Sequence, residues 1–198
     1  MKLAVFASGT GTNFAAILDY FKGSETVTIA CLICDQDKAG ALDIARQNNV
    51  ETFVVTCTEY KTKLSVEKEK EIADYLIEKE IDLIVLAGYM RVIKAPVLVP
   101  FKGRIINIHP SLLPSFRGLH AVKQALDFGV KITGCTVHRV DEVIDSGAIL
   151  GQRSVQVDVG DSESSLHQKI HQEEYKLYPA VIEVIAKGKM DTVQEPVT

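Results

Sequence analysis

In the stretch Ile105 to Gly118, IINIHPSLLPSFRG, an amide and an imidazole interrupt an apolar strand two residues apart: Asn107 and His109. Period-two alternation turns both to one side of the strand and Ile106 and Ile108 to the other. Pro110 and Pro114 then fix the path by which the chain leaves. A lone histidine here would read as a hydrogen-bonded residue of the core or rim. Two donors on one side, at the carboxyl end of a strand where open α/β sheets place their ligands, instead suit an oxyanion forming on a carbonyl carbon. The amide is a neutral donor and the imidazolium a charged one, and either alone contributes about 3 kcal/mol to such a barrier. The imidazole needs a partner to hold its tautomer or its charge. HRVDEVIDSGAILGQ supplies Asp141, Glu142 and Asp145, of which Asp145 is best placed to turn inward, since Gly147 permits a tight backbone. Opposite charge raises a histidine pKa, so a protonated His109 is expected.

A second chemistry-bearing stretch, VFASGTGTNFAAIL, follows the first strand and opens the first helix. Ser8-Gly9-Thr10-Gly11-Thr12-Asn13 is a glycine-bearing turn whose amides, together with the helix dipole, face an anion. Phe14 stands where the dinucleotide fingerprint G-x-G-x-x-G needs a small residue, and the lysine of a P-loop is absent. One small phosphate is therefore favoured over a pyrophosphate, with Thr12 and Asn13 adding side-chain donors. Asp35, at the end of the second strand, reads as a ribose-binding acid or a plain turn former.

These residues are positioned by apolar runs that alternate with stretches of helical period, the signature of repeated βα units and a parallel sheet covered on both faces. Strands are expected over Lys2–Ala7, Thr26–Cys34, Glu51–Thr56, Asp82–Ala87 and Arg104–His109. Helices are expected over Asn13–Lys22, Ala39–Asn48 and Lys61–Glu80, with a short turn after Ala95. In the third helix Ile72, Leu76 and Ile77 recur at helical spacing among mixed charges that read as a solvated face. A helix from Gly118 to Phe128 precedes two further strands, ITGCTVHRV and AILGQRSVQV. A closing helix runs from Ser162 to Lys187, bent or interrupted near Pro179.

The chain has 198 residues, enough for one domain that buries roughly 70% of the surface its unfolded form exposes. A single domain over residues 1–190 and a loose tail over 191–198 are expected. The net charge of -4 leaves no basic footprint, so a nucleic-acid partner is not expected. No segment approaches the roughly 18 apolar residues of a membrane span, and the apolar start MKLAVFA ends without a cleavage site, which reads as a cytoplasmic protein. Cys31 and Cys34 share one strand, their Cα atoms about 10 Å apart, beyond the reach of a disulfide, and read as core thiols. Monomer and homodimer are both open.

FASGTGTN, LAGYMRVI, INIHPSLLP, DEVIDSGAIL and EEYKLYP, in this order and spacing, resemble the phosphoribosylglycinamide formyltransferases, or glycinamide ribonucleotide transformylases, over about residues 1 to 190. The resemblance implies a Rossmann-like formyltransferase fold: a mostly parallel sheet with helices on both faces, and an antiparallel strand pair after the catalytic strand. It also implies transfer of a formyl group from the co-substrate 10-formyltetrahydrofolate to the primary amine of a phosphoribosylglycinamide, in purine synthesis, with no metal. In this sequence Asn107 would bond the formyl oxygen, His109 would stabilise the tetrahedral oxyanion, and Asp145 would hold the charge and help move the amine's proton. Gly11, Thr12 and Asn13 match the family's phosphate site. Glu174 matches a carboxylate that contacts the glycinamide, with His171 one turn earlier on the same face. Met90, Arg91, Val92 and Ile93 match one wall of the pterin pocket and the backbone of Val140, Asp141 and Asp145 the other, while Lys63 matches a basic residue at the folate tail. Arg91 in an apolar stretch demands an anionic or multi-acceptor partner.

Relatives that formylate methionyl-tRNA would need a further carboxyl-terminal domain and a basic surface. Formyltetrahydrofolate hydrolases share Asn, His and Asp but typically carry an amino-terminal domain and lack the glycine-rich loop. A non-catalytic phosphate or nucleotide sensor would need Thr10–Asn13 but not Asn107, His109 and Asp145. A nicotinamide-dependent oxidoreductase fails at Phe14.

Overall fold

The computed structural model describes residues 1–60 and 62–188. Strands and helices alternate as β1 (Lys2–Ala7), α1 (Thr12–Tyr20), β2 (Thr28–Cys34), α2 (Gly40–Gln47), β3 (Glu51–Val54), α3 (Val66–Glu78), β4 (Leu83–Leu86), α4 (Ala95–Leu98), β5 (Ile105–His109), α5 (Ala121–Phe128), β6 (Ile132–Arg139), β7 (Ile149–Gln156) and α6 (Glu163–Ala186). The strands form a seven-stranded sheet in the order β3-β2-β1-β4-β5-β6-β7. The pairs β1–β2, β1–β4 and β2–β3 are parallel, and β6–β7 is antiparallel. This is the expected mostly parallel α/β fold with its antiparallel pair after β5. The chain divides into two compact units, Met1–Ile106 and Asn107 onward, so the division falls within β5. The tail expected over 191–198 lies outside the described residues.

In the first unit, Leu3 to Ala7 and Cys31 to Cys34 are fully buried, as strands of a sheet covered on both faces must be. Cys31 and Cys34 are free, buried thiols, and burial pushes the Cys31 thiol up to about 11. α3 begins at Val66, five residues later than the charge and apolar pattern predicts. Ser65 caps it by accepting the Lys68 amide at 3.4 Å, and the carbonyls of Cys57, Tyr60 and Lys63 turn to the Arg91 side chain instead of along a helix axis. Its buried face is Ile72, Ala73 and Leu76; Ile77, expected among them, is 54% exposed.

In the second unit, β6 is buried from Thr133 to Arg139. β6 and β7 approach so closely at Gly134 that a Cβ there would stand 1.9 Å from the Arg153 carbonyl oxygen. α6 packs on β6, β7 and α5 through Leu166, Ile170, Leu177, Val181, Ile182 and Ile185. It opens with a reciprocal cap between Ser162 and Ser165 and runs through Pro179 without the expected interruption. Pro179 deletes an intrahelical hydrogen bond, a loss of about 3 kcal/mol in a helix interior. Burying Tyr178 and Ile182 beside it offsets that loss, at roughly 1.5–3 kcal/mol for each large side chain.

Candidate active site

The Asp145 carboxylate is the centre of a buried cluster in the second unit. Its Oδ2 lies 3.4 Å from Nδ1 of His109 and accepts the Gly118 amide at 2.8 Å; its Oδ1 lies 3.5 Å from Nε2 of His138. Asn107 reaches the same place, its Nδ2 standing 3.2 Å from His138 Nε2. The three groups singled out in the sequence thus lie together, with β5 supplying Asn107 and His109 and the loop after β6 supplying Asp145. The geometry of that loop differs from expectation. Asp145 itself takes the left-handed conformation, φ 52°, which aspartate tolerates better than most residues. Gly147 serves a close approach rather than a turn: a Cβ there would lie 2.0 Å from the Arg139 carbonyl oxygen. Asp141 closes the loop on itself by accepting Val143 N and Ser146 Oγ, both at 3.0 Å.

His138 was not anticipated from the sequence. The signal lay in ITGCTVHRV, where the alternation of a buried strand ends in a second imidazole before the acidic loop. Its Nδ1 donates to the Arg139 carbonyl at 2.8 Å, so Nε2 accepts from the Asn107 amide when the ring is neutral and donates to Asp145 when the ring is protonated. His109 is held in the opposite sense. Its Nε2 donates to the Phe116 carbonyl at 2.8 Å, so only the protonated ring has an N–H to offer Asp145. Burial depresses the His109 pKa below its ordinary value, outweighing the raising effects of Phe116 and Asp145, with His138 adding to the depression. The expected net upward shift is therefore corrected: at 5% exposure, desolvation of the cation wins. Burial works against the ionised Asp145 too, yet its pKa stays below the usual carboxylate value, because His138, the Gly118 amide and His109 together favour the anion.

In the first unit, Gly11 (φ 80°) is the residue before α1 and provides no side-chain cap for that helix's first amides. A Cβ on Gly11 would stand 2.8 Å from Ala41 Cα, so the loop between β1 and α1 rests directly on α2. Thr12 is exposed and Asn13 buried. The neighbouring segment after β4 is tied to this loop twice, by Ser8 N to the Gly88 carbonyl at 3.1 Å and by Met90 N to Ser8 Oγ at 2.9 Å. Met90 is 63% exposed, Val92 half-buried and Ile93 buried. Arg91 has the multi-acceptor surroundings expected of it: Asp35 at 2.6 Å and the carbonyls of Cys57, Tyr60 and Lys63. Asp35, read as a ribose acid or turn former, is instead the buried counter-ion of Arg91. Lys63 is exposed, its ammonium 4.5 Å from the centre of the Tyr60 ring. On α6 of the second unit, Glu174 is buried and stands 3.8 Å from His171, the same face as expected, while Val140 is half-buried. Among the described residues no group of three or more His, Cys, Asp or Glu side chains is arranged to hold a metal ion, and no helix is long and apolar enough to cross a membrane.

With a mostly parallel α/β sheet whose strand β5 ends in Asn-x-His, the chain belongs to the formyl transferase family, whose match spans residues 1–182. It is 43% identical over 182 residues to the phosphoribosylglycinamide formyltransferase of Bacillus subtilis, covering 91% of this chain and 92% of that one. It is 38% identical over 188 residues to the human trifunctional purine biosynthetic protein adenosine-3, covering 94% of this chain but 18% of that longer protein. The crystal structure of glycinamide ribonucleotide transformylase 1 from Symbiobacterium toebii superposes with a TM-score of 0.92 at 40% identity, covering 99% of this chain and 91% of the other.

Proposed function

We propose that this formyltransferase moves the formyl group of 10-formyltetrahydrofolate to the primary amine of 5'-phosphoribosylglycinamide, giving the formylglycinamide ribonucleotide and tetrahydrofolate, as a cytoplasmic enzyme of purine synthesis. The observation that carries the reading is the Asp145 carboxylate flanked by His109 and His138, with the Asn107 amide on the latter ring. The amine lone pair forms the new C–N bond while the carbonyl electrons move to oxygen. That oxyanion takes a hydrogen bond from Asn107 and, once His109 has exchanged its Phe116 partner, from the imidazole. Asp145, ionised, accepts the nitrogen's proton, and His109 is the neighbouring site to which it can pass. Collapse restores the carbonyl and breaks the bond to the folate nitrogen, which departs protonated. An amine that attacks directly needs no serine or cysteine nucleophile, consistent with the buried, up-shifted thiols of Cys31 and Cys135.

In this reading the amides of Gly11, Thr12 and Asn13 bind the substrate phosphate, supported by a helix start without a side-chain cap. Glu174, with His171 beside it, meets the glycinamide. In the first unit the folate-binding segment is Met90, Arg91, Val92 and Ile93, with Arg91 contributing its backbone, and Lys63 meets the folate tail; in the second unit the folate-binding residues are Val140, Asp141 and Asp145, through their backbone. Asn107→Ala and His109→Ala are each expected to cut kcat by about 10²–10³ with melting temperature little changed. Near-normal turnover in either variant would remove the oxyanion role.

A further inference from the structure

We propose that Arg91 is a positioning residue for the folate co-substrate, acting through the chain around Cys57, Tyr60 and Lys63 rather than by offering its guanidinium to the ligand. Every nitrogen of that guanidinium already has a protein acceptor. Nε bonds Asp35 Oδ2 at 2.6 Å, Nη1 bonds the carbonyls of Tyr60 and, at 3.0 Å, Lys63, and Nη2 bonds the carbonyl of Cys57 at 3.0 Å. The arginine and aspartate side chains are 6% and 2% exposed, so the pair is screened from solvent on both sides. A buried guanidinium is tolerated only when paired and hydrogen-bonded, and Asp35 supplies the charge. The three carbonyls do not lower that requirement cheaply: they must be turned out of any regular element to reach one fork of donors. That fork has a fixed planar geometry, so it dictates where those carbonyls stand.

The same short segment is fastened along its length. Gly88 and Met90 are tied to Ser8, the Val92 amide donates to the Thr62 carbonyl at 2.8 Å, and the Lys94 amide donates to both oxygens of Glu69, at 3.0 and 3.1 Å. Arg91 is the only described member of this set whose side chain reaches several points of the chain before α3 at once. Fixing that chain fixes where Lys63 starts from and what stands beside Met90 and Val92. This inference rests on the reading of Met90–Ile93 and Lys63 as folate-facing, and extends it from contact residues to the group that holds them in place.

The test is a steady-state comparison of Arg91→Lys, the apolar pair Asp35→Leu/Arg91→Leu and Met90→Trp in the full chain. A lysine presents one ammonium in place of a fork and cannot satisfy the three carbonyls together. Arg91→Lys is expected to raise KM for 10-formyltetrahydrofolate about tenfold, the equivalent of one lost charge-assisted hydrogen bond, with KM for the phosphoribosylglycinamide and kcat at saturating folate within about twofold. In the double variant both buried charges leave together while the carbonyls of Cys57, Tyr60 and Lys63 still lack the fork, so the folate KM stays high; that variant also carries the test if Arg91→Lys does not fold. Unchanged folate KM in Arg91→Lys, an equal rise in both KM values, or a parental folate KM in the double variant would overturn the proposal. Met90→Trp separates the two readings: if it leaves folate KM unchanged the pocket assignment itself falls, whereas a rise there with none in Arg91→Lys sinks the positioning role alone.

Discussion

Asp145 faces two imidazoles whose outer nitrogens are committed to different carbonyls, and this sets their jobs apart. His138, anchored through Nδ1 on Arg139, presents an acceptor to Asn107 and so fixes which end of that amide points where. Replacing it with phenylalanine leaves the amide free to turn. His138→Phe should lower kcat by about 10² with little change in either KM, since misplacement near 1 Å at a reacting group has that effect; a kcat within twofold of the parent would remove the orienting role. A second residue-scale prediction concerns Glu69, buried in α3, whose pKa burial raises from 4.5 to about 7. A carboxyl that binds its proton more tightly folded than unfolded loses stability as pH rises. Thermal melts from pH 4.5 to 7 should therefore show Glu69→Gln gaining on the parent across that window and holding a constant difference above it. A flat difference throughout would contradict the shift. None of these shifts was legible in the sequence. The charge on Asp145 could be read from its type, but the burial that reverses the balance at His109 exists only once the strands are packed.

At the scale of elements, the alternation of apolar runs with helical stretches located nearly every strand and helix, because each is buried along a face whose period is written in the side chains. The departures arise from tertiary contacts. α3 starts later than its local pattern predicts because an arginine distant in sequence claims the carbonyls before Ser65. α6 was expected to break at Pro179, but the tertiary burial around Tyr178 outweighs one lost backbone bond. Asp145 was found through its neighbour Gly147, though for the wrong reason: the glycine is needed for space against Arg139. Gly147→Ala should accordingly push the Asp145 loop off β6 and reduce kcat at least tenfold, checked by turnover and by amide exchange at Val143 to Ser146. Unaltered turnover would mean that the loop can yield there. The α6 start is a simpler matter. Ser162→Ala removes half of the reciprocal cap, and denaturant titration should show a loss of about 1 kcal/mol with activity intact.

For the molecule as a whole, the sheet order, the family match across residues 1–182 and the close likeness to solved transformylase structures agree with what IINIHPSLLP and the glycine-bearing first loop implied. The fold and the candidate pair Asn107 and His109 were legible together because both residues sit at the end of β5, where sequence periodicity already states which way a side chain points. The loop contacts, His138 and the Arg91 fork were not, since each depends on residues brought together by folding. The measurement that tests the account most directly follows a labelled formyl group. The purified protein is given formyl-labelled 10-formyltetrahydrofolate with and without phosphoribosylglycinamide, with no metal added. The account predicts label on the glycinamide nitrogen at a rate that depends on the amine, and little free formate without it. Label released as formate at the same rate whether or not the amine is present would contradict it.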